Sequence, residues 1–342
     1  MAENKGNQNI EYYCAHLLLP QIEILRNTAD KASHRKNIED IHDLRVSSRR
    51  IREYLNVFGF SLPKKKYKNW QKEIRSITKS FGIIRDLDVQ YDLIQKIYRL
   101  TEDKKIRSGL RRLRLRLKQK REKNQGKTQS ITSTILENQT LAEMRSWCED
   151  ALNYPNNEIQ KTKSLYELGY KHVQDCLDKV LFYEIFIFDP NRVEELHKMR
   201  IAAKHLRYSL EIFSDLYEGK TDFALAIARE IQQYLGEIHD ADVWVEYLPQ
   251  FMDTEYKQIK NFYGYTSPFS RIKPGIEYLL ENRKTERENL YRKFIDSWKK
   301  WKMQETWLDL RKIIFLSEPP TAEPVSEPTP PTDSGNKNPE RT

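Results

Sequence analysis

The chain is poor in several features, and each scarcity removes a class of function. It has three cysteines, Cys14, Cys148 and Cys176, at no metal-binding spacing. Neither a disulfide framework nor a zinc site is indicated, which fits a reducing cytosol. Glycine is rare, 11 of 342 residues, and neither GxxxxGK(S/T) nor GxGxxG occurs, so the loops that cradle nucleotide phosphates are excluded. No apolar run approaches the ~18 residues of a spanning helix. The longest, Val180 to Phe188, is interrupted by Glu184. The opening MAENKGNQNI lacks the basic-then-apolar layout of a signal peptide, so the expected location is cytoplasmic. No segment shows the apolar/polar alternation of a strand, and the fold class read from the sequence is all-α.

Charge is abundant. The net charge is +9, and Ser317 to Thr342 contributes −3 of that with five acids and two bases, leaving +12 on the body. Such an excess expects an anionic partner, and composition alone does not choose among nucleic acid, a membrane surface and polyphosphate.

One stretch gives the excess a shape. In IHDLRVSSRRIREYLNVF, from Ile41 to Phe58, helical geometry sets His42, Arg45, Arg49 and Arg52 within one arc of about 80°. Leu44, Ile51, Leu55 and Phe58 form a separate apolar face that can anchor the helix. LHKMRIAAKHLRYSLEIF, from Leu196 to Phe213, repeats the pattern 155 positions later, with His197, Arg200, Lys204 and Arg207 in the same phase. An isolated charged helix face is ordinarily just solvated; duplication in phase beside an apolar anchor argues for a ligand. Arginine suits bidentate contact with phosphate, lysine acts as a point charge, and histidine donates a hydrogen bond or, protonated, adds charge. His42 and His197 are therefore expected to tighten anion binding near pH 6 relative to pH 8.

A second echo follows each copy. FGIIRDLDV, Phe81 to Val89, aligns with LGEIHDADV, Leu235 to Val243. Two matched segments in the same order imply a duplicated unit of roughly 150 residues. Together, HxxRVxxRRxR followed by GxIRDxDV, both repeated, resembles the CHAD family, the histidine-containing α-helical domains. The resemblance runs from about His34 to about Leu316. It implies two pseudo-twofold-related antiparallel helical bundles, each of four main helices, around a basic central groove or channel that binds inorganic polyphosphate, with polyphosphate granules as a place of action. The second copy departs from the first at His205 for Arg50 and at His239 for Arg85, so the two halves need not carry equal charge.

In order along the chain, residues 1–9 are expected to be disordered, 10–157 to form the first half, 158–316 the second, and 317–342 a disordered tail rich in Pro and Glu. Pro20 is expected to kink or divide the first helix. Asn37 is the expected N-cap of the organising helix, with Gly59 and Pro63 ending it. Lys72, Arg75 and Lys79 on the next helix, and Arg107, Arg111 and Arg114 on the one after, are second-rank binding candidates by helical phase, while Arg112 and Arg116 point elsewhere, to solvent. Asn124 to Ser133 and Asn261 to Gly275 read as loops, Ser146 to Asn157 as the bridge between halves. Asp189-Pro190 reads as a helix start.

Two alternatives remain. Asp86, Asp88, Asp240 and Asp242, with the His239-Asp240 dipeptide, could belong to a metal-dependent phosphohydrolase. Helix capping and pairing with the basic stripe explains them with less, since no further ligand set is evident. The charge equally suits a nucleic-acid-binding helical protein, although most aromatics fall at core spacing rather than as base-stacking platforms. The favoured reading is a binding module, not an enzyme, with no catalytic residue, metal or cofactor.

Overall fold

The computed structural model describes residues 2–34, 38–153 and 162–316, with side chains for 9–32, 39–124, 130–153 and 162–315. Asn37, the bridge at Pro155 and the tail 317–342 lie outside these residues. Among the described residues there is no strand. The order is α1 (Ala2–His34), α2 (Ile38–Phe58), α3 (Lys64–Leu100), α4 (Lys104–Leu136), α5 (Gln139–Leu152) and α6 (Lys163–Phe182). After a short 3-10 turn (Tyr183–Phe186) come α7 (Val193–Ile212), α8 (Ser214–Tyr217), α9 (Asp222–Tyr263), α10 (Ser267–Met303) and α11 (Thr306–Leu316).

Local chemistry sets several boundaries. The Asp103 carboxylate accepts from the backbone N–H of Lys105 at 2.7 Å and caps α4. Asn138 caps α5 by accepting from Leu141 N–H at 3.0 Å. Gly264, at φ 76°, closes α9 in the left-handed region that glycine adopts without a Cβ penalty. Elsewhere helices continue where the sequence suggested breaks. Helix α1 begins at Ala2, inside the stretch expected to be disordered, and continues through Pro20. Helix α4 crosses 124–133. Only 264–266 separate α9 from α10, so the loop expected over Asn261–Gly275 is three residues long, and Pro274 lies inside a helix. Helix α5 occupies much of the expected bridge, and α7 starts at Val193 rather than at Pro190. The common reason is that helix elongation adds one bond per residue once a nucleus is docked, so an isolated Gly, Pro or polar run is tolerated where neighbouring turns are packed.

The core does not divide at the boundary between the repeats. Its largest cluster draws on both halves. Tyr13 of α1 stacks on Phe213 (ring centroids 6.4 Å, interplanar 7°) and meets Phe58 edge-on at 6.1 Å, while Phe58 and Phe213 lie 6.2 Å apart. The Tyr13 hydroxyl, fully buried, donates to the Ile212 carbonyl at 2.5 Å. A second cluster joins Ile94 of α3, Leu110, Leu113 and Leu117 of α4, Trp244, Leu248 and Phe251 of α9, and Ile276 and Leu279 of α10. There α4 and α10 cross backbone to backbone. A Cβ added to Gly109 would meet the Ile272 carbonyl oxygen at 2.2 Å, and one on Gly275 the Ile106 carbonyl oxygen at 2.1 Å.

Similar ion pairs occur in the two stretches that carry the matched motifs. Asp88 of α3 is buried and its carboxylate accepts from Arg121 Nε of α4 at 2.7 Å; Asp242 of α9 accepts from Arg287 of α10. Asp88 thus sits inside a continuous α3 rather than capping a following helix. Asp88 and Asp242 are 154 positions apart, whereas Arg121/Arg287 and Gly109/Gly275 are 166 apart. The twelve added residues lengthen the α9–α10 hairpin.

Candidate functional site

Helices α2 and α7 are anchored as their apolar faces require. Leu44, Ile51, Leu55 and Phe58 on one, and Met199, Leu206, Leu210 and Phe213 on the other, are all fully buried. Anchoring fixes where the adjoining stripes point. His42, Arg45 and Arg49 of α2 and Arg200 of α7 line one cavity of about 620 Å³, together with Arg85 of α3, His239 and Asp240 of α9, and Arg283 of α10. Five arginines face four acids, Asp86, Glu237, Asp240 and Glu286, so the lining is mixed in sign rather than uniformly basic.

The guanidiniums are held but not saturated. Arg45 donates to Asp86 at 2.9 Å. Arg49 and Arg207 both stand over Tyr208, 5.4 and 4.7 Å from the ring centroid. The Nε atoms of Arg49, Arg200 and Arg207 are buried and have no hydrogen-bond acceptor. A buried donor without a partner costs on the order of 1–3 kcal/mol, more when charged. Burial lowers the Arg49 pKa, and the neighbouring Arg207 and Arg45 add to that against the pull of Tyr208. These are cationic donors held in place with hydrogen-bonding capacity to spare, among carboxylates that pair with some of them, Asp86 with Arg45 and Glu211 with Arg207.

The rest of the two stripes flanks the cavity. Lys204 is buried enough that its pKa falls to about 8; Glu53 resists the fall, and Arg52, Arg49 and Arg200 assist it. Burial alone would raise the Glu53 carboxyl. Instead its contact with His205 at 3.0 Å, with the charges of Lys204 and Arg52, holds it below the usual range. His197 Nδ1 lies 3.2 Å from His239 Nδ1, so one ring must donate and the other accept. Burial, then His197 and Arg200, press the His239 pKa down to about 4, and burial, Arg200 and Lys204 lower that of His197. This bears on the expectation of tighter binding near pH 6, because burial and the neighbouring cations oppose protonation of His197 and His239.

The second-rank candidates are elsewhere. Lys72, Arg75 and Lys79 lie exposed along α3. Arg107 and Arg114 each stand 4.4 Å from the centroid of the Tyr98 ring, with Arg111 exposed on the same helix. Arg112 and Arg116 do not point to solvent: both bond the buried Glu255 of α9, at 2.6 and 2.5 Å. Sequence reasoning left out Arg85, His239 and Arg283 as lining residues. The first two flank the DxD segment, a usable signal; Arg283 has none, because only the fold brings α10 to the cavity. Of the four motif carboxylates, Asp86 pairs with the basic stripe, Asp88 and Asp242 pair with α4 and α10, and Asp240 lines the cavity near Arg200. Among the described residues no group of three or more His, Cys, Asp or Glu is gathered to hold a metal ion, and no helix is long and apolar enough to cross a membrane.

Comparison with known proteins supplies an independent frame. The family model of the CHAD domain matches residues 17–249. The crystal structure of the CHAD domain from the plant Ricinus communis is similar in fold, with a TM-score of 0.55 at 18% identity, covering 91% of this chain and 93% of that one. PptA from Streptomyces chartreusis is similar too, with a TM-score of 0.55 at 15% identity over 84% of this chain and 99% of that one. No curated protein matches the sequence.

Proposed function

This chain belongs to the CHAD domain family, and from that premise we propose that it grips inorganic polyphosphate in the cavity between α2 and α7, as a binding module rather than an enzyme. The observation that carries the reading is the pair of buried, acceptor-free Nε atoms on Arg49 and Arg200, one from each stripe, in a single cavity. Polyphosphate has about one negative charge per unit, oxygens all round, and no base to read. It suits guanidiniums that converge without a stacking platform. Each contact displaces counterions, so affinity falls steeply with salt.

The two halves are read as pseudo-twofold equivalents. Phe58 contacts Phe213, and Gly109 contacts Gly275. A residue that touches its own counterpart lies on the symmetry axis. The ligand would then cross that axis, held by His42, Arg45, Arg49 and Arg52 on one side and His197, Arg200, Lys204 and Arg207 on the other. Granules rich in polyphosphate follow as the cellular setting.

The test is a titration of long-chain polyphosphate into wild type and Arg49→Ala/Arg200→Ala, at low and physiological salt, with DNA and RNA of equal charge as competitors. Two charge-assisted contacts at about 1.5–3 kcal/mol each predict a loss on the order of a hundredfold or more. Displacement by nucleic acid, or undiminished binding by the double variant, overturns the reading.

A further inference from the structure

A second cavity of about 380 Å³ lies between α4 and α9, lined among others by Arg116, Lys120 and Lys123 on one helix and Tyr247, Phe251 and Gln258 on the other. Glu255 takes both Arg112 and Arg116, so its charge is more than neutralised. Lys120 Nζ stands 5.0 Å from the Tyr247 ring and donates to its hydroxyl at 3.2 Å. Lys123 is exposed. Among the lining residues, Arg116, Lys120 and Lys123 against Glu255 leave two positive charges in surplus.

This groove has a counterpart in the first cavity by sequence offset. Leu93 and Glu286 line the first cavity where it runs between α3 and α10. Their equivalents, at the offsets of 154 and 166 given above, are Tyr247 and Lys120, which line the α4–α9 groove. The two cavities are neighbours along α9: Trp244 lines the first, Tyr247 the second, and their rings are 5.8 Å apart. What differs is the placing of charge, and Arg283 at the α3–α10 end stands where the groove side has Leu117. Lys120 stands where the other end has Glu286, Lys123 where it has Asn289, and Arg116 where it has Asn282.

We propose that the α4–α9 groove is a second binding site for the same linear polyanion, reached only by chains that already fill the first cavity, and that Glu286 disfavours exit along α3–α10. The inference rests on the polyphosphate reading and adds direction and length dependence to it. From Asp240 to Thr254, α9 spans about 21 Å at its helical rise. Tripolyphosphate is far too short to cover that path, whereas a long chain gains the second set of contacts at high effective concentration.

Calorimetric titration of the full chain with tripolyphosphate and with long-chain polyphosphate tests it. Lys120→Ala/Lys123→Ala is expected to weaken long-chain binding about tenfold and leave tripolyphosphate unchanged. Two lost contacts, at about 0.7 each, make the slope of log K on log salt shallower by about 1.4 for the long chain alone. Both side chains are exposed, so folding is not at issue. Equal loss for both ligands, or no loss for the long chain, overturns the groove. A wild type that binds neither ligand overturns the parent reading first. Glu286→Lys tests direction: long-chain affinity should rise, and an unchanged value removes the claim that this end is disfavoured.

Discussion

Lys204 is the residue whose environment says most about pH. Burial and three neighbouring guanidiniums hold its pKa near 8, so its charge is lost within the range where arginine keeps its own. Because the lost species is a cation, polyphosphate affinity should fall as pH rises from 7 to 9, with the fall displaced upward by the bound anion. Lys204→Arg should flatten that profile; a variant whose affinity declines as steeply as wild type shows that another group titrates. His239 acts at the other end of the scale. Its folded pKa, about 4, lies below the ordinary histidine value of 6.5. The unfolded chain therefore binds more protons between pH 4 and 6.5, and stability must drop as pH falls through that window. Urea midpoints of wild type minus His239→Gln isolate this contribution from the carboxylates. A difference that does not change between pH 7 and 4.5 contradicts the assignment.

At the scale of elements, the crossing of α4 and α10 is the tightest constraint. Gly109 and Gly275 meet where a Cβ would collide with backbone rather than with a movable side chain end. Gly109→Val should force the helices apart and cost at least the ~1–3 kcal/mol typical of overpacking, lowering the urea midpoint. A midpoint at or above wild type would mean that the crossing is loose. The same crossing explains why the segment around Gly275 looks like a loop on paper. Two glycines and two prolines between Asn261 and Gly275 are turn chemistry in isolation, yet only 264–266 turn; Gly275 is used for close approach and Pro268 for a helix start. The organising helices were easier, because α2 and α7 carry their apolar and basic faces in one unbroken 3.6-residue period.

At the scale of the whole molecule, one buried cluster spans both stretches that carry the matched motifs. Phe58, Phe213 and Tyr13 bury one another within it, and the second cluster takes side chains from α3, α4, α9 and α10 alike. Expressed alone, 1–153 and 162–316 should each lack cooperative unfolding, and mixing or co-expressing them should restore it. A half that melts cooperatively as a monomer would show that each repeat holds its own core.

The sequence by itself determined the helical class, and it carries the recurrence of one pattern 155 positions on and the stripe of each organising helix, because these are periodicities written locally. It also determined the anchoring face of α2, since Leu44, Ile51, Leu55 and Phe58 had to face inward. Only the tertiary structure decided which cations share a cavity. Lys72, Arg75 and Lys79 have the right phase but lie exposed on α3, and Arg112 and Arg116 turn to a carboxylate 143 and 139 positions away. Arg283 joins the lining from a helix with no motif. Helical phase fixes the direction of a side chain about its own axis, whereas the company it keeps depends on where other axes cross.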